Sequence, residues 1–296
     1  VSNVTTAAAL LPGHRGGSNG NDGTFTAPFS TLDYAIGRCG ASRGDVIMVK
    51  PGHAETLSAA AAIALDVAGV AVIGLGYGSL RPTFTLDTAA TASITVTAAN
   101  VALQNMIFVA NFADIATCFD VTTATDFSVE YCEFRDTSAI LNFINIVDTN
   151  ATANAASGLY FSHNKVLSLG TTAATSVFDV DAAQARWEIS DNFYTGGVVN
   201  NTPAWVDGAA NALTNFQMHR NYTYRINTDT ATGALLVATT SVASTGMATE
   251  NYSRHGDVAA AIYFTAGSLI GLAENYGTGD ADTQGTLIPA AGNDAA

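Results

Sequence analysis

Apolar and polar positions alternate along this chain in short runs, and the runs recur. Laid under one another, LYFSHNKV (159–166), WEISDNFY (187–194), FQMHRNYT (216–223) and IGLAENYG (270–277) share one order: apolar, any, apolar, two polar, Asn, then a strand former or two. TENYS (249–253) is a weaker copy. The asparagines Asn164, Asn192, Asn221, Asn251 and Asn275 stand 28, 29, 30 and 24 residues apart. Upstream, FSVEYCEF (127–134) and VALQNMIF (101–108) fit the template with Cys132 and Met106 in place of Asn, and VAVIGLGY (70–77) reads as an earlier member. A second apolar run precedes the template in each repeat: CFDV (118–121), FINIV (143–147), VFDV (177–180), AWV (204–206), ALLVA (234–238) and AIYF (261–264). Alternation such as Trp187 with Ile189, or Phe216 with Met218, has the period of two that half-buried strands require.

Short strands with one apolar face, repeating at this length, bury themselves best by stacking each coil on its predecessor. The pattern therefore predicts an all-β chain, a right-handed parallel β-helix of about seven or eight coils. At about 4.8 Å per stacked strand this makes a rod core on the order of 35 to 40 Å long. A β-propeller would need longer repeats, and a leucine-rich repeat would set Leu at fixed places beside its Asn. The recurring Asn is read as the turn former, since it tolerates left-handed backbone and its stacked amides can hydrogen-bond from coil to coil. The insertion DTNATANAAS (148–157) is expected on the outside of the rod.

Residues 20 to 57 have another texture. Leu32, Ala35, Ile36 and Cys39 recur at helical spacing, with Ser30 or Thr31 as N-cap candidates and Gly40 as a stop, so a short capping helix is expected. Ile47 and Val49 then alternate as a strand ended by Pro51 and Gly52. The chain is divided into an opening and capping segment (1–57), the β-helix (58–279) and a C-terminal tail (280–296), all one domain.

Composition narrows the function classes. Hydrophobic residues make up 48% and charged residues 12%, too apolar for a disordered chain, and no apolar run reaches a membrane-spanning length. The formal charge of -14 repels phosphate backbones and anionic membranes, so neither nucleic acid nor membrane is an expected partner. The basic residues are scattered singly along the sequence. Three cysteines, Cys39, Cys118 and Cys132, form no CxxC pair and read as small core fillers made in a reducing cytosol. The start, VSNVTTAAALLPG, lacks a basic segment ahead of its apolar stretch and does not read as a secretory signal.

The opening segment carries a resemblance. GNDG (20–23), Pro28 to Leu32, Gly44 to Val49, and Pro51 with Gly52 resemble the N-terminal modules of the pectate-lyase-like right-handed β-helix superfamily. PGHAETL (51–57) with LDVAGVAVIGLGYGSLRP (65–82) is similar, more narrowly, to β-helical structural proteins of tailed phages, marine ones especially. The resemblance implies the fold; the superfamily includes lyases, hydrolases, adhesins and virion parts. Its lyases hold Ca²⁺ with clustered acids and use Arg or Lys as base, and its hydrolases use several Asp on adjacent coils.

Tested for such chemistry, the sequence offers Asp120 and Asp179 at equivalent outward positions of FDV, Asp181 two residues on, and Asn145 between them in the ladder. With a coil intervening, the two acids are expected about 10 Å apart, too far for a shared metal and marginal for an inverting pair. Arg135, Arg186 and Arg220 read as lone residues on a solvated face. His14, His53, His163, His219 and His255 lie on separate rungs, with His163 and His219 in related positions two coils apart and Asp191 between, a ladder of turn-forming polar groups. GLGYGS (74–79) is a turn without the setting of a dinucleotide fingerprint. The aromatic residues Phe193, Tyr222, Tyr252 and Tyr276 are expected to form a stacked packing column, with a sugar-binding stripe as the rival reading. No catalytic, cofactor-binding or metal-ligating residue is assigned, and no cofactor.

The expected function is a non-enzymatic structural protein of a tailed-phage virion, a capsid decoration or cement protein or a fibre or spike component. It is expected to self-associate as a homotrimer, to contact other virion proteins such as the capsid protein, and to be made in the host cytoplasm; a host surface glycan is a further candidate partner. The alternatives are a tailspike-type polysaccharide lyase or hydrolase, and a cell-surface or filament-forming protein.

Overall fold

The computed structural model is an all-β parallel solenoid of about seven turns with almost no helix. It describes residues 1–4, 12–169, 176–196, 205–225, 237–239, 241, 243–255, 269–278 and 286–288. Each full coil gives one strand to each of three sheets. In the fourth coil these are Ser128–Glu130, Glu133–Asp136 and Phe143–Thr149. Stacking produces a nine-stranded first sheet, a ten-stranded second and a seven-stranded third. Coil-to-coil pairing is parallel, and at the C-terminal end Thr286–Ile288, within the expected tail, closes the second sheet by pairing antiparallel to Asn275–Thr278. AIYF (261–264) and parts of AWV and ALLVA lie outside the described residues.

The interior follows from the period of two. On the second sheet Phe84, Phe108 and Phe134 stack at centroid distances of 5.7 and 5.2 Å, and the column continues through Val166, Tyr194, Thr223 and Ser253. Phe161 and Phe178 add edge-to-face contact at 5.2 Å from the other two sheets. Cys118 and Cys132 are buried free thiols, Cys39 is half-buried, and burial raises the pKa of Cys132 to about 12.

The corner between the first and second sheets departs from expectation in one respect. The asparagines are buried, but the left-handed residue is the one before each asparagine or its counterpart Met106 or Cys132: Asn105, Tyr131, His163, Asp191, Arg220, Glu250 and Glu274 have φ between 53 and 60°. That leaves the Asn side chain free to point inward and bond. Each Oδ1 accepts the backbone N–H of the corner residue one coil earlier: Cys132 to Asn164 at 2.8 Å, Asn164 to Asn192 at 2.8 Å, Asn192 to Asn221 at 3.1 Å, Asn221 to Asn251 and Asn251 to Asn275 at 3.0 Å. Each Nδ2 donates to a carbonyl of the preceding coil, Val129, Phe161, Ile189, Met218 or Ala248, at 2.7 to 2.9 Å. Buried backbone groups must find partners, and at this corner the amide supplies them. A second left-handed series, Asn100, Asp126, Gly158, Arg186 and Asn215, turns the chain into the first sheet.

The capping helix forms at Leu32–Ile36, shorter than expected, with Gly37 rather than Gly40 at its C-terminal end. Thr31 is the N-cap but makes no side-chain cap bond; Asn19 Oδ1 accepts from Ser30 and Thr31, and the Leu32 N–H donates to Glu55 at 3.1 Å. Leu32, Ala35 and Ile36 are buried over the first coil, as an exposed stack end requires. That coil begins at Val46–Val49, inside the segment expected to precede the β-helix. The insertion after Thr149 is not wholly external. Ala156 is fully buried, its carbonyl accepts Trp187 Nε1 at 2.8 Å, and its N–H donates to Gln184.

Candidate functional site

The third sheet carries an acidic column. Register places Asp120 beside Asp148, Asp148 beside Asp179, and Asp179 beside Asp207. This corrects the sequence reading: Asp148, not Asn145, stands between Asp120 and Asp179, while Asn145 aligns with Thr117 and Ser176. Phe143–Thr149 runs two residues past FINIV and takes Asp148 out of the supposed insertion. Neighbouring carboxylates are thus about 4.8 Å apart at the backbone, and alternate ones about 10 Å.

All four are half-buried, and like charges at strand spacing resist ionisation. Burial, then Asp179, Asp181 and Asp120, push the Asp148 carboxyl up to about 6. Burial and Asp181 and Asp207 raise Asp179, against a hydrogen bond from Asn145 Nδ2 at 3.1 Å. Burial raises Asp120 and Asp207. The backbone spacing of adjacent members is close to the separation of the carboxyl groups in a retaining pair, about 5 to 5.5 Å. Among the described residues no group of three or more His, Cys, Asp or Glu is arranged to hold a metal ion.

The first sheet and its corner carry the other polar groups. Asp191 accepts two bonds from Arg220, at 2.7 and 2.6 Å, which hold its carboxyl below the usual range. His163 shares the corner row with Asp191 and Arg220, whereas His219 sits one position earlier, beside Ser190 and Thr249, so the two histidines are not equivalent. His219 Nε2 lies 3.2 Å from Glu188, Ser190 donates to Ser162 at 3.1 Å, and the His163 ring stacks on Tyr131 at 4.7 Å. His53 is buried and bonds to Glu55 at 3.0 Å, a structural link to the capping helix. His14 reaches Lys50, and the side chain of His255 lies outside the described residues.

The three arginines read as lone are each paired with a carboxylate. Arg135 meets Glu133 at 2.8 Å, with Arg81 on the other oxygen of that carboxylate; Arg186 lies 3.7 Å from Asp126; Arg220 holds Asp191. Folding also gathers basic residues scattered in sequence: Arg38, Arg43 and Lys50 line a cavity of about 750 Å³ beside the capping helix, with Phe25, Phe29 and Tyr34.

On the second sheet Phe193, Tyr222, Tyr252 and Tyr276 occupy one register row. They point outward, between 36% and 49% exposed, so the column is not core packing; the buried partner in that strand is Tyr194. Phe193 stacks on Tyr222 at 5.4 Å and 5°, and Tyr252 on Tyr276 at 5.5 Å and 10°. Sequence alternation gave the period but not which member of Phe193–Tyr194 faces in.

No family model matches the chain, and no curated protein does. Among solved structures it is similar to a rhamnogalacturonan lyase, with 13% identity over 86% of this chain and 84% of that one, at a TM-score of 0.43. It is also similar to a DFA-IIIase from Arthrobacter chlorophenolicus A6 solved in complex with GF2, with 13% identity over 82% of this chain and 76% of that one, at a TM-score of 0.40.

Proposed function

We propose that the chain is a non-enzymatic structural component of a tailed-phage particle, a stiff rod that serves as a capsid decoration or cement protein or as part of a fibre or spike. One observation carries the reading: along the first and second sheets outward side chains bond to one another across nearby coils. Arg81 reaches Glu133 two coils on, where Arg135 of the same strand also pairs, and Asp191 with Arg220, Glu188 with His219, and the stacked rings tie adjacent coils outside, as the asparagines do inside. Such ladders stiffen a stack. The opening-segment resemblance to phage-encoded β-helical proteins supports the setting. Mass spectrometry of purified particles should find the chain at high copy number, and its absence from them would refute the reading.

A second reading, cleavage of glycosidic bonds in a polysaccharide, is favoured by the aspartate column. An Asp148 carboxyl pushed up to about 6, with a further carboxyl one strand away on either side, is the kind of raised group a general acid needs beside a second carboxylate. Release of reducing ends from capsule-like polymers that disappears in Asp148→Asn would establish it in place of the structural one.

A further inference from the structure

The faces of the rod differ in charge. From the third-sheet strands Asp120, Asp148, Asp179 and Asp207 project without an opposite charge beside them among the described residues, and Asp181 follows just beyond. From the second-sheet strands project Arg135, Lys165 and Arg254, with Arg81 reaching in from a loop, against Glu133, the single outward carboxylate among the described residues of these strands, which pairs with Arg81 and Arg135. The exposed rings lie along the same face, with Arg254 over Tyr224 at 5.6 Å and Leu169 half-exposed at its edge. Glu250 and Glu274 flank its C-terminal part from the corner, so the positive half is the half around Arg135 and Lys165.

We infer that the second-sheet face is the docking surface for a second copy of this chain, which presents its aspartate column to Arg135, Lys165 and Arg254 of the first. The contact is heterologous, one face of one copy against a different face of the next, as charge complementarity between unlike faces requires. A nucleic acid is repelled by a chain of charge -14. A sugar that stacks on ring faces finds them turned toward each other at 5.4 and 5.5 Å, with edges outward. A copy supplies both an apolar surface for the rings and the carboxylates for the cations. Strands of about four residues stacked nine deep in parallel span about 13 by 43 Å, or about 560 Å² of flat face. This is the same order as the roughly 800 Å² each partner contributes to a standard interface.

The inference rests on reading the chain as an assembly component. Self-association of a chain absent from particles would overturn the virion setting and leave this contact standing. The test is the mass of the intact chain by light scattering and sedimentation. The wild type should be oligomeric at low ionic strength and dissociate as salt rises from about 0.01 M to about 1 M, where screening shortens from about 30 to about 3 Å. Lys165→Glu with Arg254→Glu, and separately Asp148→Lys with Asp179→Lys, should each weaken association at least about tenfold, a change of about 1.4 kcal/mol. Mixing the two variants should restore it, because each reversed face then meets its complement. Cooperative melting no lower than that of the wild type certifies folding; should the lysine pair not fold, Asp148→Asn with Asp179→Asn replaces it, expected to weaken association while melting at or above the wild-type temperature. A monomeric wild type at low salt, or an oligomer indifferent to these changes, overturns the inference.

Discussion

The two halves of the rod hold their coils together by different means. In the N-terminal half the second sheet turns Phe84, Phe108 and Phe134 inward, and the corner positions are the apolar Met106 and Cys132. In the C-terminal half the same inward column shrinks to Thr223 and Ser253, and the corner becomes the ladder Asn164 to Asn275. Dispersion and burial are non-directional and tolerate some slip between layers. A chain of buried amides does not, since each unmade bond leaves polar atoms stranded. On the second sheet, therefore, stacked rings supply cohesion in the N-terminal half, and the amides supply register where that column shrinks to hydroxyls.

The largest expected effect tests the first half. Phe134→Ala removes a fully buried ring from the stack and should cost about 3 to 5 kcal/mol in a urea titration. Hydrogen exchange should accelerate across both neighbouring coils; loss confined to one coil would break the claim of shared cohesion.

Next comes Asn221→Ala, which removes the acceptor of the Asn192 N–H and of one Asn192 amide proton, and the donor to the Ile189 carbonyl. About 3 kcal/mol is expected, since each buried group left unpaired costs about 1 to 3 kcal/mol. A cost under about 1 kcal/mol would show that the core, and not the ladder, sets register there.

A smaller effect of opposite sign belongs to the acidic column. The folded Asp148 carboxyl titrates near 6, above its ordinary 3.8, so the native state holds more protons than the unfolded chain between those values. Stability from this group should rise as pH falls through about 6 and level off below about 4. Half-exposure screens the gain to about 1 kcal/mol. Asp148→Asn should raise the melting temperature at neutral pH and flatten its pH dependence in this window. Asp191, depressed by Arg220, works oppositely: its contribution is lost only in stronger acid.

The smallest effect is at the surface. Arg220→Ala breaks a bidentate pair that is half exposed on the arginine side, and about 0.5 kcal/mol is expected at low salt, vanishing at high salt.

What the sequence disclosed follows the same division. The asparagine period was legible because a buried amide leaves one residue type able to serve, and it repeats. The left-handed position was not, since seven corners fill it with Asn, Tyr, His, Asp, Arg and Glu, and no shared residue marks it. Asp148 was hidden because its strand outlasts its apolar run, and register between strands is a property of stacking that spacing within one repeat does not state. The outward rings were hidden by parity: two aromatic neighbours alternate faces, and only the closed coil decides which enters the core.

The left-handed corner has an engineering consequence. Its residues already accept a conformation that glycine would adopt more easily, yet most carry large side chains held clear of the core. Seven consecutive coils thus set one freely chosen chemical group each along a straight edge, at intervals of about 4.8 Å. The edge is a graduated scale, on which dyes, spin labels or short epitopes could be placed at chosen separations without disturbing the amides beneath.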